Sequence, residues 1–331
     1  MKAAFRKKGK YYIKDLERRK LGLGQIRVAV DACGICGTDI HSDSEQEEMF
    51  GHEIAGRIIE TGEGVNWLKA GQKIVLDSAT PCGKCDNCKN TKQELCTDIQ
   101  SIWFVPSFGF AEEIIAPAVC AISCEDIEPA VASLQEPLGV AIDLVRLADI
   151  RPESNVLVMG PGPIGLMALA LVKRMGARRV FMSAFKKEKI RCEMAKKLGA
   201  DEVIDPSECE LTDKSFGCQI DRILVTTPPP TLNDAFKVAA KGGIVSFIGI
   251  GHGERAFCKF DANAFHFKKL QLRASFASPA LYGPLALQYL REGVIDGKSL
   301  VSHRFPLEKI EEAMKVASDP AISLKVVVTS K

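Results

Sequence analysis

At 331 residues the chain has room for two domains, and its 46% hydrophobic and 26% charged residues are ordinary for a globular protein. A formal net charge of +2 gives no electrostatic footprint for nucleic acid, so no such partner is expected. No run approaches the ~18 apolar residues of a membrane span, and no apolar core of signal-peptide length follows Met1–Lys8. No membrane association is expected, and the cytoplasm is the expected compartment.

Residues 1 to about 32 read as strands. Ile26–Ala32 alternates apolar and polar residues, the period of a half-buried strand. It delivers the chain into Cys33-Gly34-Ile35-Cys36-Gly37-Thr38-Asp39, and Gly51-His52-Glu53 follows. A thiolate at Cys36 and an imidazole at His52 both suit Zn²⁺. Taken alone they read equally well as a small buried hydrophobe and a satisfied core histidine. A catalytic zinc needs three protein ligands and an open position, so a third donor must come from elsewhere. Between them, Glu45, Glu47 and Glu48 read as a solvated loop.

Gly71–Val75 turns into another strand. Cys82-x2-Cys85-x2-Cys88-x7-Cys96 comes next. Four thiols so closely spaced can close a tetrahedral structural zinc site, with Lys84 and Lys89 helping to hold thiolates ionised. In a long chain with no expected export signal, twelve cysteines point to metal ligation rather than to a disulfide framework. A nucleic-acid-binding zinc ribbon would need a basic patch, which is missing. Cys120 and Cys124 lack partners at ligand spacing and read as buried or free thiols. In Leu134–Ala141, Glu136 is either an acid at a helix start, favoured by the dipole, or an oxygen donor for zinc.

The second half alternates strands and helices, which predicts a parallel sheet covered on both faces. Asn155–Met159 is a buried strand running into Gly160-Pro161-Gly162-Pro163-Ile164-Gly165, with a helix from Leu166 to Met175. Strand before and helix after is the context of a dinucleotide fingerprint. Gly160 makes the turn, Gly162 admits the pyrophosphate and Gly165 packs helix on strand; Pro163 and Ile164 open the helix whose free N–H groups meet the phosphates. At the end of the next strand an acid would bond the ribose of NAD. Ser183-Ala184-Phe185-Lys186-Lys187 stands there instead. Ser183 is expected at the ribose and Lys186 near a 2′-phosphate, which favours NADP over NAD. Helices are expected over Ile190–Leu198 and Thr231–Ala240, and strands over Ile220–Thr226, Ile244–Gly249 and Leu270–Phe276. Thr226 ends a strand where the nicotinamide should pass. Beyond it come a helix over Tyr282–Arg291 and a last strand over Leu324–Val328.

Gly51-His52-Glu53-x-x-Gly56, Gly62-x-x-Val65 and Cys33–Asp39 resemble the signatures of the zinc-dependent medium-chain dehydrogenases, the alcohol, sorbitol and threonine dehydrogenase group, and the resemblance runs along essentially the whole chain. It implies an α/β fold: a doubly wound Rossmann domain plus a mainly β GroES-like catalytic domain with a structural zinc lobe. The expected boundaries are 1–149 for the first part of the catalytic domain, with the lobe at 80–98, 150–277 for the cofactor domain, and 278–331 for the returning catalytic part. Two zincs per chain and NADP or NAD are implied, with both reactants in a cleft between the domains. Glu-Pro-Leu at 136–138 resembles the polyol and threonine branch, in which glutamate is the ligand; Glu136 is then the third ligand and Glu53 the exchange alternative. Thr38 is implied to take the alcohol proton and His41 to relay it, with Asp39 orienting a ligand. The link from Cys36 to His52 is shorter than is usual in the family, which loosens any inference about substrate. The expected activity is hydride transfer between a secondary alcohol (polyol, sugar acid or amino alcohol) and NAD(P), giving a ketone, in a homo-oligomer, dimer or tetramer. The alternatives are a dehydrogenase of simple alcohols and a non-enzymatic structural or sensory zinc protein.

Overall fold

A computed structural model of the protein describes residues 1–41, 45–105 and 107–330. Ser42, Asp43 and Ser44 of the acidic link lie outside them. In chain order the first stretch holds β1 (Lys2–Lys7), β2 (Lys10–Asp15), β3 (Gln25–Gly34), α1 (Gly37–His41), β4 (Glu48–Met49), β5 (Glu53–Thr61), β6 (Lys73–Leu76), β7 (Ala79–Thr80), α2 (Asp86–Lys89), β8 (Gln100–Ser101), β9 (Glu113–Pro117), β10 (Ala121–Ser123) and α3 (Pro129–Ala132). Then come α4 (Gln135–Leu147), β11 (Asn155–Met159), α5 (Pro163–Arg174), β12 (Arg179–Ser183), α6 (Lys189–Lys197), β13 (Glu202–Ile204), β14 (Arg222–Val225), α7 (Leu232–Val238), β15 (Ile244–Phe247), α8 (Ala262–Phe267) and β16 (Gln271–Ala274). The chain continues through α9 (Gly283–Arg291), α10 (Gly297–Leu300), β17 (Val301–Pro306), α11 (Ile310–Ala317) and β18 (Lys325–Thr329). Met1–Gly139, Ala277–Asp319 and Ser323–Lys331 form one compact unit, and Val140–Phe276 with Pro320–Ile322 the other. Among the described residues, no helix is long and apolar enough to cross a membrane.

The first unit is organised on β3. Its sheet runs β10-β6-β5-β3-β18-β17, with β9 also on β3. The apolar face of β3, Ile26, Val28 and Val30, packs with Ile54, Ile58, Ile74, Leu76, Ile114, Val326 and Val328. Full burial of each such aliphatic side chain is worth about 1.5–3 kcal/mol, so the sheet's position is fixed by many contacts. The register matters for chemistry: Gly34 lies opposite Glu53 on β5 and Val327 on β18. A Cβ on Gly34 would lie 2.0 Å from Glu53 Oε2. Glycine at this position therefore makes room for a carboxylate.

The acidic link is not simply solvated. Glu48 and Met49 form β4, which pairs with β1, Arg6 opposite Glu48. Arg6 Nε donates to Glu48 at 2.8 Å and the Tyr12 hydroxyl to Glu47 at 2.8 Å. Lys14 pairs with Glu47, and Lys8 reaches Glu45 at 4.0 Å. The basic hairpin β1–β2 attracts this acidic segment and holds it, a long-range pairing that composition alone does not reveal.

The second unit is a six-stranded sheet ordered β13-β12-β11-β14-β15-β16, all parallel. Val156, Leu157 and Val158 are fully buried, as strands covered on both faces must be. The order reverses between β11 and β14, which is the switch point where such sheets take ligands at their carboxyl ends.

Candidate active site and metal centres

The end of β3, α1 and the start of β5 bring Cys36, His52 and Glu53 together, each offering a donor atom within 4.8 Å of the others. Asp39, buried in α1, accepts the Cys36 N–H at 2.9 Å and fixes the loop. Its other oxygen lies 4.0 Å from His52 Nδ1, which is buried and has no hydrogen-bond partner. Burial alone would lower the His52 pKa, but the Cys36 sulfur, to which the ring hydrogen-bonds, and the Asp39 and Glu136 carboxylates outweigh it and hold it well above the usual imidazole value. A buried imidazole against a thiol and two or three carboxylates, with one nitrogen unsatisfied, is a donor set that fits a divalent, borderline-soft cation.

Glu136 stands in the first turn of α4, outside that close trio. Its pKa is raised, chiefly by burial, with His52 opposing and Glu53 adding to the rise. Its carboxylate makes no hydrogen bond to the described residues. Glu53 differs: Lys325 Nζ lies 2.5 Å from it, with the two side chains 3% and 0% exposed. Burial would discharge Lys325, but Glu53 and Cys36 keep its pKa raised. Sequence reasoning missed Lys325. Its signal was a lone cation within the apolar run Leu324–Val328. Thr38 and His41 are exposed on α1, so both are accessible for proton transfer.

The second cluster is local. β7 and β8 pair antiparallel and close the base of the lobe. All four sulfurs of Cys82, Cys85, Cys88 and Cys96 gather within 4.8 Å. Cys82 and Cys88 are 4.0 Å apart, Cys85 and Cys96 3.9 Å, close to the ~3.8 Å edge of a tetrahedron with ~2.3 Å Zn–S bonds. The N–H groups of Lys84 and Cys85 point at Cys82 and that of Cys82 at Cys96. Backbone hydrogen bonds lower Cys85 to about 6, while burial raises Cys88 to about 12. Cys120 and Cys124 are buried free thiols.

In the second unit, Gly160 has φ +103°, and a Cβ there would meet the Thr226 hydroxyl at 2.7 Å. A Cβ on Gly165 would lie 2.0 Å from the Gly160 carbonyl, whereas one on Gly162 would meet nothing within 4 Å. Gly160 and Gly165 thus serve the turn and the packing, and Gly162 leaves open space at the N-terminus of α5, which begins at Pro163 and Ile164. Thr226 Oγ1 donates to the Met159 carbonyl at 2.9 Å, a support of the glycine turn that the sequence reading did not assign to it.

Residues 163–288 match the family described as zinc-binding dehydrogenase, and residues 22–126 the alcohol dehydrogenase GroES-like domain. A sorbitol dehydrogenase of Arabidopsis thaliana is 30% identical, over 92% of this chain and 88% of its own length. The chain belongs to the zinc-dependent medium-chain alcohol dehydrogenases. This dehydrogenase also superposes on a crystal structure of an alcohol dehydrogenase from Escherichia coli CFT073 complexed with NADH, at a TM-score of 0.89 and 27% identity with 99% of each chain covered. A zinc-binding dehydrogenase from Sinorhizobium meliloti 1021 bound to NADP gives 0.86 and 26%, covering 99% of this chain and 98% of that one. As a family member, this dehydrogenase is an NAD(P)-dependent, zinc-using oxidoreductase of secondary alcohols. The non-enzymatic reading is thereby removed.

At the turn after β12, this dehydrogenase departs from the expected picture of free lysines. Lys186 pairs with Glu208, and its N–H donates to Asp205 at 2.7 Å. The Lys187 ammonium lies over the Phe185 ring, 5.2 Å from its centre. Ser183 is buried at the end of β12 and its carbonyl accepts the Gly160 N–H. Acids of the β13 end offset the lysine charge, a pairing across neighbouring strands that the local sequence does not announce.

Proposed function

We propose that Cys36, His52 and Glu136 hold the catalytic zinc, and that Glu53 is the exchange ligand. The convergence of Cys36, His52 and Glu53 around an unsatisfied buried imidazole nitrogen carries this reading. Glu53 is ion-paired with Lys325; Glu136 makes no such close ion pair, although His52 and Lys325 both favour its charged form. Cys82, Cys85, Cys88 and Cys96 hold the structural zinc. When bound, the catalytic zinc supplies a Lewis acid that lowers the pKa of an alcohol oxygen, and NAD(P) supplies the hydride acceptor. The chain's own part is positioning and proton transfer. Asp39 fixes the loop of Cys36 and faces His52. Thr38 accepts the alcohol proton, and His41, one helical turn on and exposed, passes it to solvent. Gly160, Gly162, Pro163, Ile164 and Gly165 cradle the pyrophosphate, with Ser183 and Lys186 at the ribose end and Thr226 bracing the turn. The substrate is a polyol, sugar acid or amino alcohol, a reading that the sorbitol dehydrogenase relative supports.

A two-way screen of alcohols and ketones with NAD and NADP, followed at the absorbance of reduced nicotinamide, tests this together with metal analysis. Two zincs per chain and turnover of a secondary alcohol are expected. One zinc per chain with no turnover would reject the catalytic assignment. Because Glu208 and Asp205 offset Lys186, preference for NADP should stay below about tenfold and shrink with salt.

The enzyme is proposed to be a homo-oligomer. β16 is an edge strand of the parallel sheet; Leu272 within it and Phe276 just after it are 41% and 77% exposed. Such an edge is a template for pairing with a second copy, and light scattering should give a dimer or tetramer. None of the twelve cysteines is paired in a disulfide, which supports a reducing compartment, the cytoplasm.

A further inference from the structure

We propose that Arg6 is a positioning residue for the proton relay: its guanidinium holds the helix that carries Thr38 and His41, and so sets how fast the alcohol proton leaves; this rests on the dehydrogenase reading above. Arg6 lies on β1, 32 residues before Thr38. Its Nη1 donates to the Thr38 carbonyl at 3.4 Å and to the Asp39 carbonyl at 3.1 Å. The last four carbonyls of a helix have no partner within it, and in α1, five residues long, these include Thr38 and Asp39. The Asp39 carboxylate in turn accepts the Cys36 N–H. One short segment therefore carries the loop of a proposed ligand at one end and the relay at the other. Thr38 and His41 are exposed, so their aim comes chiefly from the α1 backbone, and Arg6 reaches that backbone from a different strand.

Arg6 is itself held on two further sides. Its Nε donates to Glu48 at 2.8 Å, and its guanidinium carbon lies 5.2 Å from the centre of the Phe50 ring. Phe50 is 2% exposed and packs on Tyr11 and Phe110, with ring centres 5.6 and 4.8 Å away, so it offers a fixed floor. A planar fork pinned by an ion pair and an aromatic face is pre-organised to hold two carbonyls at once; a lysine ammonium, a point charge on a flexible stem, is not. An arginine that only joined β1 to the acidic link would behave differently: losing its Glu48 partner would cost as much as losing the arginine.

In zinc-loaded protein, R6M should lower kcat for the preferred alcohol about tenfold, with KM changed less than about twofold and zinc content unchanged; a misplacement on the order of 1 Å suffices for such a loss. R6K should recover only part of it, and it carries the same comparisons should R6M not fold. E48Q, which removes the ion pair and leaves both carbonyl bonds, should keep kcat within about twofold of wild type. The solvent deuterium isotope effect on kcat should be larger in R6M than in wild type, because proton transfer becomes the slower step. R6M combined with H41N should lose less than the product of the two single losses, as residues serving one step do. Amide hydrogen exchange over residues 37–41, which needs no turnover, should quicken in R6M and not in E48Q. Unchanged exchange there would overturn the anchoring. Fully multiplicative losses with H41N, or equal losses of kcat in R6M and E48Q, would overturn the relay role while leaving the dehydrogenase reading intact. Wild-type protein that turns over no alcohol would overturn that reading and the relay role with it.

Discussion

The cysteine lobe and the proposed catalytic set gather candidate metal donors by opposite routes. In the lobe, Cys82 to Cys96 come from one short stretch, and the backbone N–H groups of that stretch already point at the sulfurs. In the catalytic set, Cys36, His52, Glu136 and Lys325 come from the end of β3, the start of β5, the first turn of α4 and β18. Buried charge there is balanced only across long sequence separations. On the proposed assignment, the lobe would depend on its ion for local order, whereas the catalytic set, held by the sheet, would depend on its ion for chemistry.

Substitutions that separate the two roles test this contrast most sharply. Cys36→Ser should reduce turnover to background and zinc content by one ion per chain while the melting temperature changes little. Turnover near wild type would break the contrast. Cys88→Ser should instead lower the melting temperature by at least roughly 5 °C, since a structural zinc contributes folding free energy and each kcal/mol is worth ~2–4 °C in a unit of this size. A chelator titration monitored by circular dichroism should show the same order, with activity lost apart from structure at one site and structure lost at the other.

Lys325→Met tests whether the sheet holds the catalytic set. Removing one partner of a buried ion pair costs about 3–5 kcal/mol because the other charge is stranded. Lys325→Met should be strongly destabilised, and adding Glu53→Gln should restore most of the loss. A double variant no better than the single one would mean that the pair is not coupled.

The smallest effect sits where the two regions adjoin in sequence. Asp77, between β6 and β7, accepts a hydrogen bond from Gln135 Nε2 at 2.7 Å, one residue before Glu136. Burial raises its pKa to about 7, against the Gln135 hydrogen bond. The folded state then holds a proton that the unfolded state releases from about pH 4 upward. Folded protein binds more protons across that window, so this contribution to stability falls as pH rises from about 4 to about 7. Asp77→Asn should remove the decline, so that its advantage in melting temperature grows across that window and is flat above it. An advantage that does not vary with pH would show that Asp77 is not titrating there.

What could be read from the sequence follows the same divide. The Cys₄ spacing and the glycine turn at Gly160–Gly165 are local, and their chemistry is written in consecutive residues. The parallel sheet was legible because its strands and helices alternate. Lys325, the docking of Glu47 and Glu48 on the β1–β2 hairpin, and the neutralisation of Lys186 by Glu208 and Asp205 were not. Each depends on which strand lies beside which, and local periodicity carries no register between distant strands.

The position of β18 in the chain has a consequence for synthesis. β5 and β9, which flank β3, are translated before the second unit, but β18 emerges only after it, roughly two hundred residues beyond β9. At ~5–20 residues per second, the Ala32–Gly34 end of the edge that β9 shares with β18 waits on the order of 10–40 s after β9 for its strand, and Glu53, 272 residues before Lys325, waits roughly 14–54 s for its partner. During that interval the Val140–Phe276 part of the second unit can fold on the ribosome while the first presents an open apolar edge to chaperones. Changes that weaken the β3–β18 pairing will therefore register first as lost soluble yield, before any effect on catalysis.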